Sequence, residues 1–156
     1  MEEQKLIDIM ANKNYDVAIV TTRLDDQING QTVAWITQAS IKPPMMAIGL
    51  SEKNYTYDLI KESGVFAVNF LPKNRRDLVQ SFGYKSGREV DKFKNLEYAS
   101  ALTESPILND SAAFLDCKLA KICQTGDHYL FIGEVVEADY KSLQWLQTQD
   151  LHQKAA

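Results

Sequence analysis

The pair Asn29-Gly30 constrains this chain more than any other short stretch. An Asn-Gly step tolerates positive φ at both residues and so favours a two-residue hairpin turn. It follows "YDVAIVTTRL" at 15–24, rich in Val, Ile and Thr, and precedes "QTVAWITQAS" at 31–40. The pattern predicts two antiparallel strands meeting at this pair. The second begins at Gln31 and is interrupted by Pro43-Pro44, because proline has no N–H for a central ladder. Val33 and Trp35 share one strand parity while Thr32, Ala34 and Ile36 share the other. That imperfect alternation marks 30–51 as a candidate binding loop.

Beyond the prolines, "MMAIGLS" at 45–51 reads as a third strand. "NYTYDLIKESG" predicts a short helix, with Leu59 and Ile60 three to four residues beyond Tyr55 and Thr56 and Gly64 just past its end. "VFAVNFLP" at 65–72 is a strand closed by Pro72, and "RRDLVQSFGY" a second helix with Leu78, Val79 and Phe82 at helical spacing. Lys85 to Asp110 lacks periodicity and reads as a long irregular excursion, of a kind that often carries function. "AAFLDCKLAKICQ" and "YLFIGEVVEADY" are two strands around the tight "TGD". "SLQWLQTQDLHQ" at 142–153 has Leu143, Leu146 and Gln147 at i, i+3 and i+4, which predicts a last helix. The sum is a mostly antiparallel β protein with short helices. A small closed or split β-barrel fits best, since closure removes exposed edges.

At 156 residues the chain is expected to form one domain, 1–156. Its 17 basic and 21 acidic residues give a net charge of -4, which argues against nucleic acid or an anionic membrane as principal partner. The densest basic group, "KNRR" at 73–76, reads as a solvated helix start. "MEEQKLIDIM" lacks the basic and apolar regions of a signal peptide, and no apolar run reaches the roughly 18 residues that span a bilayer, so a cytoplasmic protein is expected. Cys117 and Cys123 stand six apart on one expected strand, sharing a face about 20 Å apart, too far for a disulfide. Both read as buried small hydrophobes. The chain has no Walker loop, G-x-G-x-x-G, H-E-x-x-H or G-x-S-x-G motif, and His128 and His152 match no zinc spacing, so no metal is expected.

The order "VAIVTT", "NGQTVAWITQASIKPP", "YTYDLIKESGVFAVNFLP", "DKF" at 91–93, "PIL" at 106–108 and "GDHYLFIGEV" at 126–135 resembles the flavin reductase-like, FMN-binding split-barrel family, and within it the flavoredoxin type. The resemblance runs from about Tyr15 to Tyr140. It implies a homodimer of split barrels that binds FMN near the dimer interface and passes hydride from NADH or NADPH to the flavin. It further implies that Asn29 and the segment Thr32, Val33, Ala34, Trp35, Gln38, Ala39 and Ser40 lie along the isoalloxazine ring. Ser51, Lys53 and Thr56 would hold the phosphate, with Lys92 of "DKF" as a second cation beside Phe93. His128 of "GDH" would face the nicotinamide as the catalytic residue. Flavoredoxins usually continue further at the C-terminus, where an aromatic residue can cover the ring; here the expectation is that this cover is either missing or supplied by Trp145.

These assignments have a physical basis. A flavin ring needs an apolar face to stack on and a polar edge for its N–H and C=O groups. A helix start at Thr56 offers free N–H groups to a phosphate. A histidine can donate to a carboxamide or relay a proton near neutral pH. An electron-carrier flavoprotein serving an acceptor protein, and a flavin-binding protein without turnover, need the same pocket and stay open.

Overall fold

In a computed structural model, which describes residues 2–153, the chain runs α1 (Glu3–Ala11), β1 (Ala18–Leu24), β2 (Gln27–Val33), β3 (Ile36–Ser40), β4 (Met45–Leu50), α2 (Tyr55–Ser63), β5 (Val65–Phe70), α3 (Arg76–Gly83), β6 (Tyr98–Ser100), β7 (Pro106–Leu108), β8 (Ala113–Gln124), β9 (Tyr129–Tyr140) and α4 (Thr148–Leu151). The first hairpin turns at Asp25-Asp26, with Asp25 at φ 51, and not at Asn29-Gly30. Aspartate is among the residues that tolerate the left-handed region, so it can take the turn. Asn29 and Gly30 lie inside β2, opposite Thr22 and Thr21. Packing needs them there. A Cβ on Gly30 would stand 3.1 Å from the Phe82 ring, and buried Asn29 donates from Nδ2 to Thr56 Oγ1 at 2.9 Å.

The large sheet has the order β2-β1-β5-β8-β9-β4-β3, every neighbour antiparallel. Its edge strands β2 and β3 are separated in the chain only by Ala34 and Trp35. Laid flat, seven strands would put those edges about 29 Å apart, whereas the link between Val33 and Ile36 reaches about 11 Å at most. The sheet must therefore roll until its edges meet, which gives a split barrel. Gly49 N donates to Trp35 O at 2.9 Å, which carries the β3–β4 ladder up to the crossing. The expected second strand is thus two strands, broken at Ala34-Trp35 by the crossing, while residues 41–44 with both prolines form the β3–β4 turn.

Two apolar clusters flank the barrel wall. Val20, Ile48, Phe66, Val68, Cys117 and Phe131 are in one, and Ile19, Leu71, Leu78, Phe82, Phe93 and Leu146 in the other. Successive residues of β1 alternate between the two, so the strand is buried on both faces. Cys117 is fully buried, and burial pushes its thiol up to about 12. Cys123 is only partly buried. A register shift between Leu119 and Lys121 reverses the strand parity, so Cys117 and Ile122, not Cys117 and Cys123, share the barrel-facing side.

The Lys85–Asp110 excursion contains the β6–β7 hairpin and buries Phe93, Ile107 and Leu108. The predicted last helix is confined to α4. Residues before it are extended, because Leu146 N donates to Leu71 O at 2.7 Å and Leu146 O accepts from Val17 N at 2.9 Å. Those bonds and the complete burial of Leu146 outweigh its helical spacing. At the other end, α1 buries none of its residues. No helix among the described residues is long and apolar enough to cross a membrane.

Candidate functional site

The outer strand β2, the first turn of α2 and the loop after α3 enclose a cleft of about 360 Å³. Asn29, Gln31 and Thr32 line it from β2, Lys53, Asn54 and Thr56 from the α2 start, and Tyr84, Lys85, Ser86 and Lys92 from the loop. A recess of about 170 Å³ holding Trp35, Ser51 and His128 shares Gln31, Thr32 and Asn54 with the cleft, so the two form one groove.

Local chemistry shapes the α2 end. Asn54 Oδ1 accepts from Ser51 N at 3.2 Å, and Ser51 Oγ accepts from Lys53 N at 3.3 Å. With its side chain engaged there, Asn54 makes no cap bond to the helix, and among the described residues the first-turn N–H groups have no side-chain partner. The loop is tied down by Arg88, which donates to Asp58 at 2.5 Å and lies 4.9 Å over the Tyr55 ring. Gly87 is obligatory in this approach: a Cβ there would fall 2.0 Å from Asn29 Oδ1.

Lys92 Nζ donates to Gly30 O and Phe82 O, both at 2.9 Å, and so joins β2 to the end of α3. Among the described residues no carboxylate pairs with it. Burial lowers its pKa from 10.5 to about 8. An unmet group lies opposite it, on β2. Gln31 Oε1 is buried with no hydrogen-bond partner among the described residues.

At the recess, the Trp35 and His128 rings lie 4.6 Å apart at 51°, and His128 Nδ1 is 2.7 Å from Asp127 Oδ1. That hydrogen bond holds the Asp127 carboxyl below the usual range. Trp35 is 52% exposed, which leaves an apolar surface open beside the histidine.

The structure brings Asn29, Thr32, Ala34, Trp35, Ser51, Lys53, Thr56, Lys92 and His128 together along the groove. Val33 borders the recess, but its side chain belongs to the barrel core. Phe93 is a core residue, edge-on to Phe82 and Tyr98, beside a further opening that Asn29 and Lys92 also line. Gln38, Ala39 and Ser40 do not line the groove, because the crossing at 34–35 carries them to the opposite sheet edge, where β3 pairs with β4. Trp145 covers nothing there either: it stacks on Phe70 at 4.7 Å and donates to Asp16 at 2.8 Å. Sequence reasoning missed Gln31, Asn54, the 84–87 loop and Arg88. Gln31 was accessible through its strand parity with Asn29.

Residues 10–148 match the family described as Flavin reductase like domain. A ferric-chelate reductase (NAD(P)H) of Archaeoglobus fulgidus is 32% identical over 142 residues, covering 89% of this chain and 84% of that protein. A flavin reductase of Pseudomonas putida is 30% identical over 125 residues, 80% of this chain and 72% of that one. The crystal structure of an FMN-binding protein from Thermus thermophilus with bound p-hydroxybenzaldehyde, 32% identical, matches with a TM-score of 0.79 over 83% of this chain and 74% of that one. With a match that runs from within α1 to the first residue of α4, over a rolled antiparallel sheet of the same fold, the chain belongs to the flavin reductase-like domain family.

Proposed function

We propose that the groove holds FMN and that this single domain is an NAD(P)H-dependent FMN reductase, working as a cytoplasmic homodimer. The observation that carries the reading is Lys92, a half-buried ammonium without a carboxylate partner among the described residues, in the same cleft as the uncapped start of α2. A desolvated cation next to free helix N–H groups suits a phosphate monoester, which offers charge and several acceptor oxygens at once.

The residues present fit the group. Lys53, Thr56 and Lys92 of the cleft would hold the phosphate, Asn29, Gln31, Thr32 and, in the recess, Ser51 would meet polar atoms, and the open face of Trp35 would carry apolar ring surface. When bound, FMN supplies a centre that accepts hydride from a nicotinamide and passes electrons on. His128, bonded through Nδ1 to Asp127 and packed on Trp35, presents its other ring nitrogen to the nicotinamide carboxamide and orients it. The relatives named ferric-chelate reductase (NAD(P)H) and flavin reductase support this direction of transfer.

The dimer is supported by α1. Leu6, Ile7, Ile9 and Met10 are exposed, and Ile7 and Met10 border an apolar groove with Tyr15, Ala34 and Trp35. A helix that buries none of its own apolar residues suits a face covered by a second copy of the chain. Two free cysteines accord with a reducing compartment.

The test is FMN titration followed by the flavin spectrum, NADH and NADPH oxidation with excess free FMN, and light scattering of the complex. About one flavin per chain, turnover with free FMN and a dimer mass are expected. A flavin spectrum unaltered by the protein rejects the cofactor, bound FMN without oxidation leaves a carrier, and a monomer mass rejects the dimer.

A further inference from the structure

We propose that Gln31 is a ligand-reading residue, whose side-chain carbonyl accepts a hydrogen bond from a donor on the bound flavin. This deepens the FMN reading and rests on it.

Three observations carry the inference. Gln31 Oε1 is buried without a partner among the described residues, although buried side-chain acceptors are rarely left unmet. Gln31 is one of three residues lining both the cleft with Lys92 and the recess with Trp35 and His128. It therefore stands between the anion-holding end and the aromatic end, where the middle of a ligand spanning both would lie. Its neighbours are also engaged elsewhere: Asn29 Nδ2 donates to Thr56, and Thr32 Oγ1 donates to Val79 O at 2.8 Å. Among the described residues, Gln31 Oε1 is thus the buried side-chain acceptor still to be met.

The shared chemistry is an N–H or O–H donor, which a flavin offers as its ring imide or as a ribityl hydroxyl. An unpaired acceptor is costly in the free protein and relieved in the complex, so it discriminates against ligands that lack the donor.

Riboflavin is the first probe, because it lacks the phosphate and reports independently of Lys92. Its affinity, read by fluorescence quenching, should fall about 3- to 12-fold in Gln31→Leu. Gln31→Glu, which keeps an acceptor, should bind riboflavin as wild type does. The ligand-free Gln31→Leu protein should melt at or above the wild-type temperature, because the substitution removes an unmet polar group. The variant's loss persisting with lumiflavin, which has no ribityl chain, assigns the donor to the ring imide. Its persistence with 3-methylriboflavin, which has no imide N–H, assigns it to the ribityl chain. Either result supports the proposal. Riboflavin affinity unchanged within about twofold in Gln31→Leu overturns it, as does Gln31→Glu binding no better than Gln31→Leu, or a ligand-free Gln31→Leu protein that melts below wild type. Failure of the wild-type protein to bind FMN is a different result, and rejects the cofactor reading instead.

Discussion

On the proposed FMN reading, Lys92 should make the affinity for FMN depend on pH, with a sign set by its burial. Its ammonium donates to the carbonyls of Gly30 and Phe82 and lacks a carboxylate partner among the described residues, and burial brings its pKa from 10.5 to about 8. Without ligand, the folded chain loses this proton near pH 8 while the unfolded chain keeps it to about pH 10.5. The fold therefore gains stability from this group as pH rises through that window, and below it carries the full desolvation cost. A bound phosphate reverses the preference, because its dianion, dominant above about pH 6, stabilises the charged lysine. Binding above pH 8 must then take up a proton. With a free-protein pKa of about 8 that the bound phosphate raises, the FMN dissociation constant should rise between pH 7 and pH 9, by up to about tenfold. Riboflavin should show no such slope. Lys92→Gln keeps a donor but no charge, so it should weaken FMN at pH 7 by about 10- to 150-fold, the worth of a charged hydrogen bond, and abolish the slope. Fluorescence titrations of both flavins at three pH values decide the matter. An FMN affinity flat from pH 7 to pH 9, or a riboflavin affinity that falls in parallel, would refute the reasoning.

His128→Ala and His128→Asn should slow flavin reduction by NADH or NADPH about 10- to 100-fold, about 1.4–2.8 kcal/mol of barrier, and leave FMN affinity unchanged. Stopped-flow reduction beside flavin titration checks this, and lost FMN with an unaltered rate would make His128 a flavin ligand. In the barrel, a Cβ on Gly133 would stand 2.7 Å from the Phe66 ring and 2.9 Å from Cys117 Cβ. Gly133→Ala should therefore cost about 1–3 kcal/mol through overpacking, seen as a lower urea midpoint with an unchanged slope. Wild-type stability in this variant would mean that the interior has room to spare.

What the chain determines locally was legible in its residues. Gly64 ends α2 with φ 71 and donates its N–H to Ile60 O at 2.8 Å, as a helix followed by glycine requires. The apolar run of β5, the β8–β9 pair around its short turn and the mostly antiparallel β class were equally readable, because alternation, β-branching and turn residues act over a few neighbours. The features decided by tertiary structure are those in which a distant partner outbid a local preference. Asn29-Gly30 has the strongest turn signal, yet Phe82 needs the space at Gly30 and Thr56 takes the Asn29 amide, so the turn moves to Asp25-Asp26. The segment around Leu146 has helical spacing, yet the backbones of Val17 and Leu71 pair with it as an extended chain. Gln38, Ala39 and Ser40 follow Trp35 closely in sequence but leave the groove, because a rolled sheet sends them across its seam. Gln31 shares strand parity with Asn29 and Lys92 stands in "DKF", but neither pattern carries the burial that gives each its chemistry. One acquires an unmet acceptor and the other a desolvated charge only when β2, α2 and the loop after α3 close around them, and burial by remote elements is a property that no short stretch of sequence carries.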